Sequence, residues 1–463
     1  MYKLIPNSSY ISCINDRFFR DRSALKNYNP ANQTIMINKK PFALMLAMLI
    51  AVGAFAQGVT LQPGNPVTEH FSPERLQRID KLIKQYVDSG WVAGADAFIA
   101  RNGKIVYNKA FGLADIDKKV PMRTDEIFRI ASQTKAITSV AVMMLFEEGK
   151  FLLDDPISRY IPSFAHPKVL AEFNPKDSTY TTVAARREVT IRDLLTHTSG
   201  VDYAQIGSNN MKAIYAKNGI YAGFLSEKLL LGDAINKLGA LPLVHQPGEK
   251  FTYGLSIDVL GYLVEKVSGK SLDQFFKERI FTPLEMHDTY FYLPQSKYPR
   301  LATVYTPDKQ YKHLVKWDKT TFPGVDFDYP LSNGTYYAGG AGLSSTVQDY
   351  AIFLQMMLNN GIYNGHRLLS RHTVELMTMN QIGNLNLNSE GNKFGLGFEV
   401  FTKSGQTKLG ETEGSFSWGG FYGTIYWADP KEHMVCLLFV QEWPYPHGEL
   451  SDKFKVLVYS ALE

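Results

Sequence analysis

The sequence predicts an α+β protein, in which an antiparallel sheet is flanked by helices and interrupted by an inserted all-helical domain. Strand patterns lie near both ends of the chain, and a helical texture fills the middle, from about 151 to 329. No internal repeat, low-complexity tract or Pro/Ser linker divides the chain. Such an order is typical of one sheet domain with an insertion. We therefore predict a sheet domain from 65–150 and 335–463, and an inserted helical domain from 151–334.

The first elements of the predicted sheet domain are a helix and a hairpin. Ser72-Pro73 is a cap followed by a first-turn proline. Apolar residues then recur at helical spacing to about Asp88, namely Leu76, Ile79, Ile83 and Tyr86. The apolar runs 95–100 and 105–110 flank Asn102-Gly103, a dipeptide typical of tight hairpin turns.

Glycines mark the ends of two later helices, because Gly149 and Gly269 each follow an apolar periodic stretch. The remaining predicted elements are helices at 132–148 and 256–267, strands at 395–401, 423–427 and 434–441, and a final helix from about residue 450.

Residues 1–56 are predicted to be a leader that is removed from the mature protein. Two lysines precede a short apolar run that closes on Ala54-Phe-Ala56, which is the order of a secretory signal peptide. The run is shorter than the roughly 20 apolar residues that a membrane span needs. We predict that the signal occupies about 36–56 and starts at Met36 rather than at Met1. The protein is then exported, either to the periplasm or out of the cell, without a stable membrane anchor.

Charge and cysteine content restrict the partners of the mature chain. The leader holds seven of the Lys and Arg residues and two of the Asp residues, so the rest of the chain is nearly neutral. No charge field suggests nucleic acid or an anionic membrane as a partner. Cys13 leaves with the leader, and Cys436 lies in a buried-strand pattern, which predicts a core residue. The oligomeric state stays open, and the expected partner is a small-molecule substrate.

Ser132 and Lys135 carry the first chemical signal. They stand three residues apart at the start of an apolar helix, so the amine can reach the hydroxyl. The first turn of a helix also offers free backbone N–H groups and partial positive charge. A serine there can be deprotonated, and an oxyanion beside it can be held, as in hydrolases that form an acyl-enzyme. Ser-x-x-Lys also occurs at Ser23, so the motif alone favours a helix cap beside a solvated lysine, and the case for chemistry depends on the rest of the chain.

Two further segments supply groups that this chemistry needs. Tyr253 follows a Pro-Gly turn and precedes a predicted helix. Because a phenol beside an ammonium ionises more easily, Tyr253 is the candidate second proton carrier. The segment Ser417-Trp-Gly-Gly-Phe-Tyr-Gly423 precedes a predicted strand, and its adjacent glycines let a backbone with its N–H groups approach a ligand closely. A tight turn is the alternative interpretation of these glycines.

Together these segments resemble the serine β-lactamase-related superfamily, which includes class C β-lactamases, D-alanyl-D-alanine peptidases, family VIII esterases and some acyltransferases. The resemblance extends from about Phe71 to the C-terminus. Further stretches that match in kind and order are Leu153-Asp-Asp-Pro-Ile157, Val189-Thr-Ile-Arg-Asp-Leu-Leu-Thr-His-Thr-Ser-Gly200, Pro283-Leu-Glu-Met286 and Gly339-Gly-Ala-Gly-Leu-Ser-Ser-Thr346. The resemblance implies a β-lactamase/transpeptidase-like fold.

The resemblance also implies roles for individual residues. Ser132 resembles the acylated nucleophile, Lys135 the group that lowers the proton affinity of the serine, and Tyr253 the general base. The backbone N–H groups of Ser132 and Phe421 would form the oxyanion hole. His197 is expected to be structural, because this chemistry needs no imidazole.

Two departures from the family pattern bear on the substrate. Many lactamases and peptidases have Tyr-x-Asn at the second motif, where this chain has Leu255. Their third motif is usually Lys-Thr-Gly or His-Thr-Gly, where this chain has Trp418, Gly419 and Gly420. These four residues are the predicted substrate contacts. The cation and the amide that would engage a carboxylated substrate are missing, so the pattern favours the esterase branch.

Three alternatives to an esterase stay open. The first is a β-lactamase or D-alanyl-D-alanine carboxypeptidase that acts on cell-wall-type substrates, and the second is an acyltransferase. The third is a catalytically inactive binding module of the same fold. No cofactor is expected, and no metal, because the ten histidines form no close ligand pair such as H-E-x-x-H.

Overall fold

The protein is described by a computed structural model that covers residues 59–463 except 222, 227, 309, 311–312, 319–324, 389–390 and 405–407. The predicted leader at 1–56 lies outside the described residues. Among the residues that are described, no helix is long and apolar enough to cross a membrane.

Strands lie near both ends of the chain, as the sequence predicts, and also in its middle. In chain order they are β1 Gln62–Pro63, β2 Gly94–Arg101, β3 Lys104–Asp115, β4 Val120–Pro121, β5 Phe128–Arg129, β6 Lys168–Asn174, β7 Thr179–Ala184, β8 Tyr305–Pro307, β9 Leu314–Lys316, β10 Ser344–Ser345, β11 Ile362–Tyr363, β12 His366–Arg367, β13 Lys393–Phe394, β14 Glu399–Val400, β15 Phe416–Gly419, β16 Ile425–Asp429 and β17 Met434–Phe439.

The main sheet has the order β1-β3-β2-β17-β16-β15-β14-β13, with β4 paired to β3. Its pairs are antiparallel except for β1 with β3, which is parallel. The β2–β3 hairpin turns at Asn102 and Gly103, both with positive φ, as a tight turn of this kind requires. The predicted hairpin is therefore confirmed.

The helices are α1 Pro73–Asp88, α2 Thr134–Glu147, α3 Ile191–Leu195, α4 Asn209–Lys217, α5 Leu231–Gly239, α6 Ser256–Ser268, α7 Leu272–Phe276, α8 Thr282–Leu284, α9 Val347–Leu358, α10 Arg371–Met377 and α11 Glu449–Ser460. Shorter 3-10 segments lie at Ala131–Gln133, Ile157–Arg159, Pro162–Phe164, Gln295–Arg300 and Tyr329–Leu331, and a π-helical turn at Lys277–Phe281. The predicted helices at 132–148, 256–267 and from about 450 are thus confirmed to within a few residues.

Helices cover both faces of the main sheet. On one face, Ile79 of α1 and Phe454 of α11 belong to the same buried cluster as Cys436 of β17. On the other face, Val140 of α2 and Phe353 of α9 are buried in the cluster that includes alternate residues of the same strands. Because successive side chains of a strand point to opposite faces, one sheet can hold two such cores. This arrangement confirms the predicted α+β architecture with a helix-flanked sheet.

The middle of the chain is not all-helical, contrary to the prediction. Strands β6 and β7 form an antiparallel hairpin, and β8 and β9 form a second, shorter one. The first hairpin is rich in Thr and Val but mostly exposed, so it lacks the apolar alternation by which a half-buried strand is recognised. The domain boundaries at 151 and 334 stay a prediction.

The strand predicted at 395–401 is also wrong in extent. Only Glu399–Val400 is a strand there, and it pairs with Lys393–Phe394 across a tight reversal. Gly397 has a φ of 98°, and a Cβ at Gly395 would meet the Met377 carbonyl oxygen. The chain therefore turns where the apolar run predicted a continuous strand.

Candidate active site

Ser132 lies where a short strand meets a helix. Strand β5 ends at Arg129, and a 3-10 turn that contains Ser132 leads directly into α2. The preceding Ala131 has a φ of 43°, which is unusual for a residue with a Cβ and costs free energy. The N–H of Ile130 donates to the Leu343 carbonyl oxygen at 3.1 Å and so fixes this bend. The Ser132 side chain is only half-buried, so a substrate can approach its hydroxyl.

Lys135 lies beneath the hydroxyl, as the spacing predicts. Its Nζ donates to Ser132 Oγ at 3.2 Å and to the Gly340 carbonyl oxygen at 2.6 Å. A longer contact of 3.5 Å joins the same nitrogen to Tyr203 Oη. The lysine is 2% exposed, so its ammonium is fixed by these acceptors and not by water.

The surroundings keep Lys135 charged. Burial on its own would lower the pKa of the ammonium, but the oxygens of Tyr203, Tyr253 and Asp258 outweigh burial and hold that pKa above its ordinary value. Burial also raises the pKa of the Tyr203 phenol above its ordinary range, so this neighbour is neutral at pH 7. A charged Lys135 can stabilise a developing negative charge on Ser132 or on a phenol.

Tyr253 completes the group. The Lys135 Nζ lies 4.7 Å from the centre of the Tyr253 ring, and Trp418 Nε1 donates to Tyr253 Oη at 3.3 Å. Tyr253 lies three residues before the start of α6. It packs between Tyr203 and Trp418, at centroid distances of 5.5 and 5.3 Å. The structure thus brings Tyr253 and Trp418, which are distant in sequence, to the Ser132–Lys135 pair.

His197 supports Tyr253 from behind. It is fully buried, and its ring centre lies 4.9 Å from that of Tyr253. Its carbonyl oxygen accepts from the Thr252 N–H at 2.7 Å, and its Nδ1 accepts from the Gly254 N–H at 3.4 Å. Burial, together with the Lys135 charge, lowers the pKa of His197 well below its ordinary value, so the imidazole is neutral. These contacts agree with the structural role expected for His197.

The end of strand β15 lies close to the segment that carries Ser132. A Cβ on Gly420 would lie 2.5 Å from the Ile130 carbonyl oxygen and would also overlap Thr424. The next residue, Phe421, donates no backbone hydrogen bond among those of the described residues. The Ser132 N–H lies in the first turn of its helix, where an amide has no partner within the helix. Neither predicted donor therefore has a backbone acceptor among the described residues, and the oxyanion hole stays a prediction.

The four predicted substrate contacts separate into two groups. Trp418, Gly419 and Gly420 are half-buried at the end of β15, beside Tyr253. Leu255, by contrast, packs in the core with 2% of its surface exposed. The burial of Leu255 gives no support to a contact with substrate, and that assignment stays a prediction.

Sequence reasoning missed Tyr203 and the carbonyl group of Gly340. Both contact Lys135 directly, but they come from segments 68 and 205 residues away along the chain. Tyr203 lies just after the stretch Val189–Gly200, and Gly340 lies within the stretch Gly339–Thr346. Both stretches resemble the family, but the resemblance assigned no role to either residue. Neither residue has a spacing relative to Lys135 that would have indicated a contact.

Gly420→Ala is expected to lower kcat about tenfold or more. The added methyl group would push β15 and the Phe421 N–H away from Ser132. Complete loss of one oxyanion donor lowers kcat by roughly 10²- to 10³-fold. Gly419→Ala is the matched control, since a Cβ there meets nothing closer than 3.4 Å. Steady-state hydrolysis of a p-nitrophenyl ester measures both variants. Equal rates for the two would show that the close approach at Gly420 is irrelevant.

The comparison with known families decides the classification. The model of the family named Beta-lactamase matches residues 79–459. The chain belongs to the beta-lactamase family. The resemblance on which the site was assigned is therefore confirmed, and so is the β-lactamase/transpeptidase-like fold.

Relatives in this family include esterases. Esterase EstB of Burkholderia gladioli is 30% identical over 372 residues, which are 78% of this chain and 89% of EstB. An Escherichia coli protein provisionally named a D-alanyl-D-alanine carboxypeptidase is 29% identical over 433 residues, or 89% of this chain and 91% of that protein. The solved structure of EstCE1, described as a hydrolase with promiscuous acyltransferase activity, gives a TM-score of 0.73 at 27% identity, covering 83% of this chain and 98% of EstCE1.

The family is one of serine hydrolases, and its relatives include an esterase and a protein named as a carboxypeptidase. Within the described ranges, no group of three or more His, Cys, Asp or Glu could hold a metal ion. The single Cys436 of that part of the chain is buried in β17 and free, in agreement with its expected place in the core.

Proposed function

We propose that this protein is an exported serine hydrolase that cleaves neutral carboxylic esters through an acyl-enzyme on Ser132. One observation carries the proposal: the half-exposed Ser132 hydroxyl is hydrogen-bonded to the buried ammonium of Lys135, over which the Tyr253 ring lies. A nucleophile, a fixed cation and a second proton carrier in contact are what acyl transfer requires. Export rests on the predicted signal peptide alone.

The residues suggest the following steps. Ser132 Oγ attacks the ester carbonyl carbon and passes its proton to Tyr253, which takes part as the phenolate, while the Lys135 ammonium stabilises the negative charge near both oxygens. The carbonyl oxygen becomes an oxyanion between the N–H groups of Ser132 and Phe421. When the C–O bond breaks, the proton passes from Tyr253 to the leaving alkoxide. Water then attacks the acyl group by the reverse route and releases the acid and free Ser132.

The character of the third motif supports a neutral ester as substrate. Where many relatives carry a lysine or histidine, this chain presents Trp418, whose Nε1–H is already donated to Tyr253. The indole therefore offers a flat apolar face and no cation to a carboxylate. The name of the relative EstB points in the same direction. The description of EstCE1 as a hydrolase with promiscuous acyltransferase activity also fits the acyltransferase alternative, and the name of the Escherichia coli relative favours the carboxypeptidase alternative.

Aromatic side chains next to the proposed oxyanion hole also suit an apolar substrate. The Phe421 ring stacks on Trp443 with centroids 3.8 Å apart, and Phe224 lies 5.7 Å from Phe421. Phe421 and Trp443 are only half-buried. An ester whose carbonyl oxygen sits at the Phe421 N–H would have its apolar part near these rings.

The proposal is tested by comparing the turnover of a p-nitrophenyl ester with that of a chromogenic cephalosporin by the purified mature protein. We expect kcat/KM to be higher for the ester. Faster cephalosporin hydrolysis would favour the lactamase or carboxypeptidase alternative. Absence of both activities, with no covalent adduct on Ser132, would favour the inactive binding module.

Trp418→Lys is expected to shift the preference toward carboxylated substrates, because it restores a cation beside the reacting carbonyl group. We expect the ratio of cephalosporin to ester kcat/KM to rise about tenfold, since a charge-assisted hydrogen bond is worth roughly 1.5–3 kcal/mol. Trp418→Phe, which stays apolar, is the control. An unchanged ratio in Trp418→Lys would count against a role for Trp418 in substrate recognition.

A further inference from the structure

A buried carboxylate lies behind the lysine of the proposed site. Asp258 is in the first turn of α6, five residues after Tyr253, and only 2% of it is exposed. Burying an ionised carboxylate is costly unless it is paired or hydrogen-bonded. The mechanism proposed above does not use Asp258, so its presence at this depth calls for a physical reason.

Gly340 connects Asp258 to Lys135. The Gly340 N–H donates to Asp258 Oδ1 at 3.1 Å, and the carbonyl oxygen of the same residue accepts from Lys135 Nζ at 2.6 Å. The adjacent Gly339 carbonyl oxygen accepts from Thr138 Oγ1 of α2 at 2.7 Å. The glycine segment is thus held between α6 and α2, with one hydrogen bond to the carboxylate and one to the ammonium.

The contact between Asp258 and Gly340 leaves no spare room. A Cβ on Gly340 would overlap Asp258 Oδ2, so only a glycine allows the carboxylate to lie this close to the backbone. Oδ2 itself has no hydrogen-bond partner among the described residues. A residue that only capped the helix would not need the unpaired oxygen Oδ2. A carboxylate is explained, by contrast, if its negative charge balances the Lys135 ammonium.

The charges around Asp258 support this interpretation. Burial raises the pKa of the Asp258 carboxyl above its ordinary value, and the Lys135 ammonium and the Gly340 N–H oppose that rise. Among the described residues, Asp258 also interacts with the phenols of Tyr203 and Tyr336. Burial raises the pKa of each phenol above its ordinary value, and the Asp258 charge adds to that rise. Above its own pKa, Asp258 is therefore the anion that faces Lys135 in this buried region.

We propose that Asp258 is a positioning residue for Lys135: through Gly340 it fixes the acceptor of the lysine, and its negative charge attracts the ammonium and holds it beneath Ser132. This inference rests on the proposed function. Protonation of Asp258 at low pH removes the charge and leaves a side chain that resembles asparagine.

Asp258→Asn tests the proposal through the pH dependence of acylation. The rate of Ser132 labelling by a fluorophosphonate is followed by intact mass between pH 5 and 10. At pH 8 we expect about tenfold slower labelling in the variant, because the ammonium loses the opposite charge that holds it beneath Ser132. As the pH falls through the Asp258 pKa, the wild-type and variant rates should converge. A positioning role through packing alone would give a ratio that does not change with pH.

Asp429→Asn is the matched control. Asp429 is also fully buried and accepts backbone N–H groups, from Lys431 and Glu432 at 3.0 Å each, but it lies at the far end of β16. We expect its labelling rate and pH profile to equal those of the wild type. A wild-type-to-Asp258→Asn ratio that is independent of pH, or equal to one, would overturn the inference.

The wild type provides a second measurement if Asp258→Asn does not fold. Its own labelling rate must fall as Asp258 becomes protonated, and a rate that does not change down to the lowest pH at which the protein stays folded would overturn the inference. Failure of the proposed function looks different. In that case Ser132 is not labelled at any pH, whereas failure of this inference alone leaves a labelled Ser132 with the same profile in both proteins.

Discussion

Ser132→Ala is expected to abolish ester hydrolysis, with kcat falling about 10³-fold or more, by comparison with serine nucleophiles elsewhere. That loss corresponds to roughly 4 kcal/mol of transition-state stabilisation. The reason is specific to this hydroxyl: it is half-exposed, lies in the first turn of a helix and accepts a hydrogen bond from Lys135 Nζ. Steady-state kinetics with a p-nitrophenyl ester measures the effect.

Ser271→Ala is the appropriate control for this variant. Ser271 is likewise a serine at the start of a helix, where it accepts from the Gln274 N–H, but no lysine contact of this kind accompanies it. We expect Ser271→Ala to keep full activity and to lose only the roughly 1 kcal/mol of stability that an N-cap contributes. Residual activity in Ser132→Ala close to that of Ser271→Ala would mean that hydrolysis uses another nucleophile.

Tyr253→Phe is expected to slow acylation about 10²- to 10³-fold, in the range of general base catalysis. The substitution keeps the ring that packs on His197 and Trp418 and removes only the oxygen that accepts from Trp418 Nε1. Folding should therefore be almost unaffected, while the serine proton loses its acceptor. Single-turnover labelling by a slow ester substrate measures acylation separately from deacylation.

Tyr203→Phe separates the role of Tyr253 from that of a phenol in general. Tyr203 Oη lies 3.5 Å from the same Lys135 nitrogen, but burial raises its pKa above the ordinary range, so it stays protonated and cannot accept the proton. We expect a loss of less than tenfold in Tyr203→Phe. If the two variants lose activity equally, or if Tyr203→Phe loses more, Tyr253 is not the base.

Local spacing predicted one half of the site and could not predict the other. Ser132 and Lys135 are one helical turn apart, so their contact follows from helix geometry alone. Tyr253 was only a candidate from its Pro-Gly turn and the helix after it, and its role as general base came from the resemblance to a known family, since nothing in its own neighbourhood relates it to Lys135. Tyr203 and Gly340 were missed because each reaches Lys135 only through long-range packing.

The fold was predictable where periodicity and turn chemistry agreed. The hairpin at Asn102-Gly103 and the helix that ends at Gly269 are such cases, because each has a residue with positive φ at the predicted place. The middle of the chain was not predictable in this way, since the exposed β6–β7 hairpin buries too little apolar surface to leave a pattern. Most of the residues at 395–401, which the sequence predicted as a strand, instead lie in a turn, where Gly395 packs closely against the Met377 carbonyl oxygen.

The central claim is that one hydroxyl, on Ser132, becomes acylated. Treatment of the mature protein with a fluorophosphonate, followed by intact mass measurement and peptide mapping, tests this claim most directly. The account predicts a single adduct on the peptide that contains Ser132, and none in Ser132→Ala. An adduct on another residue, or none on the folded wild-type protein, would contradict it.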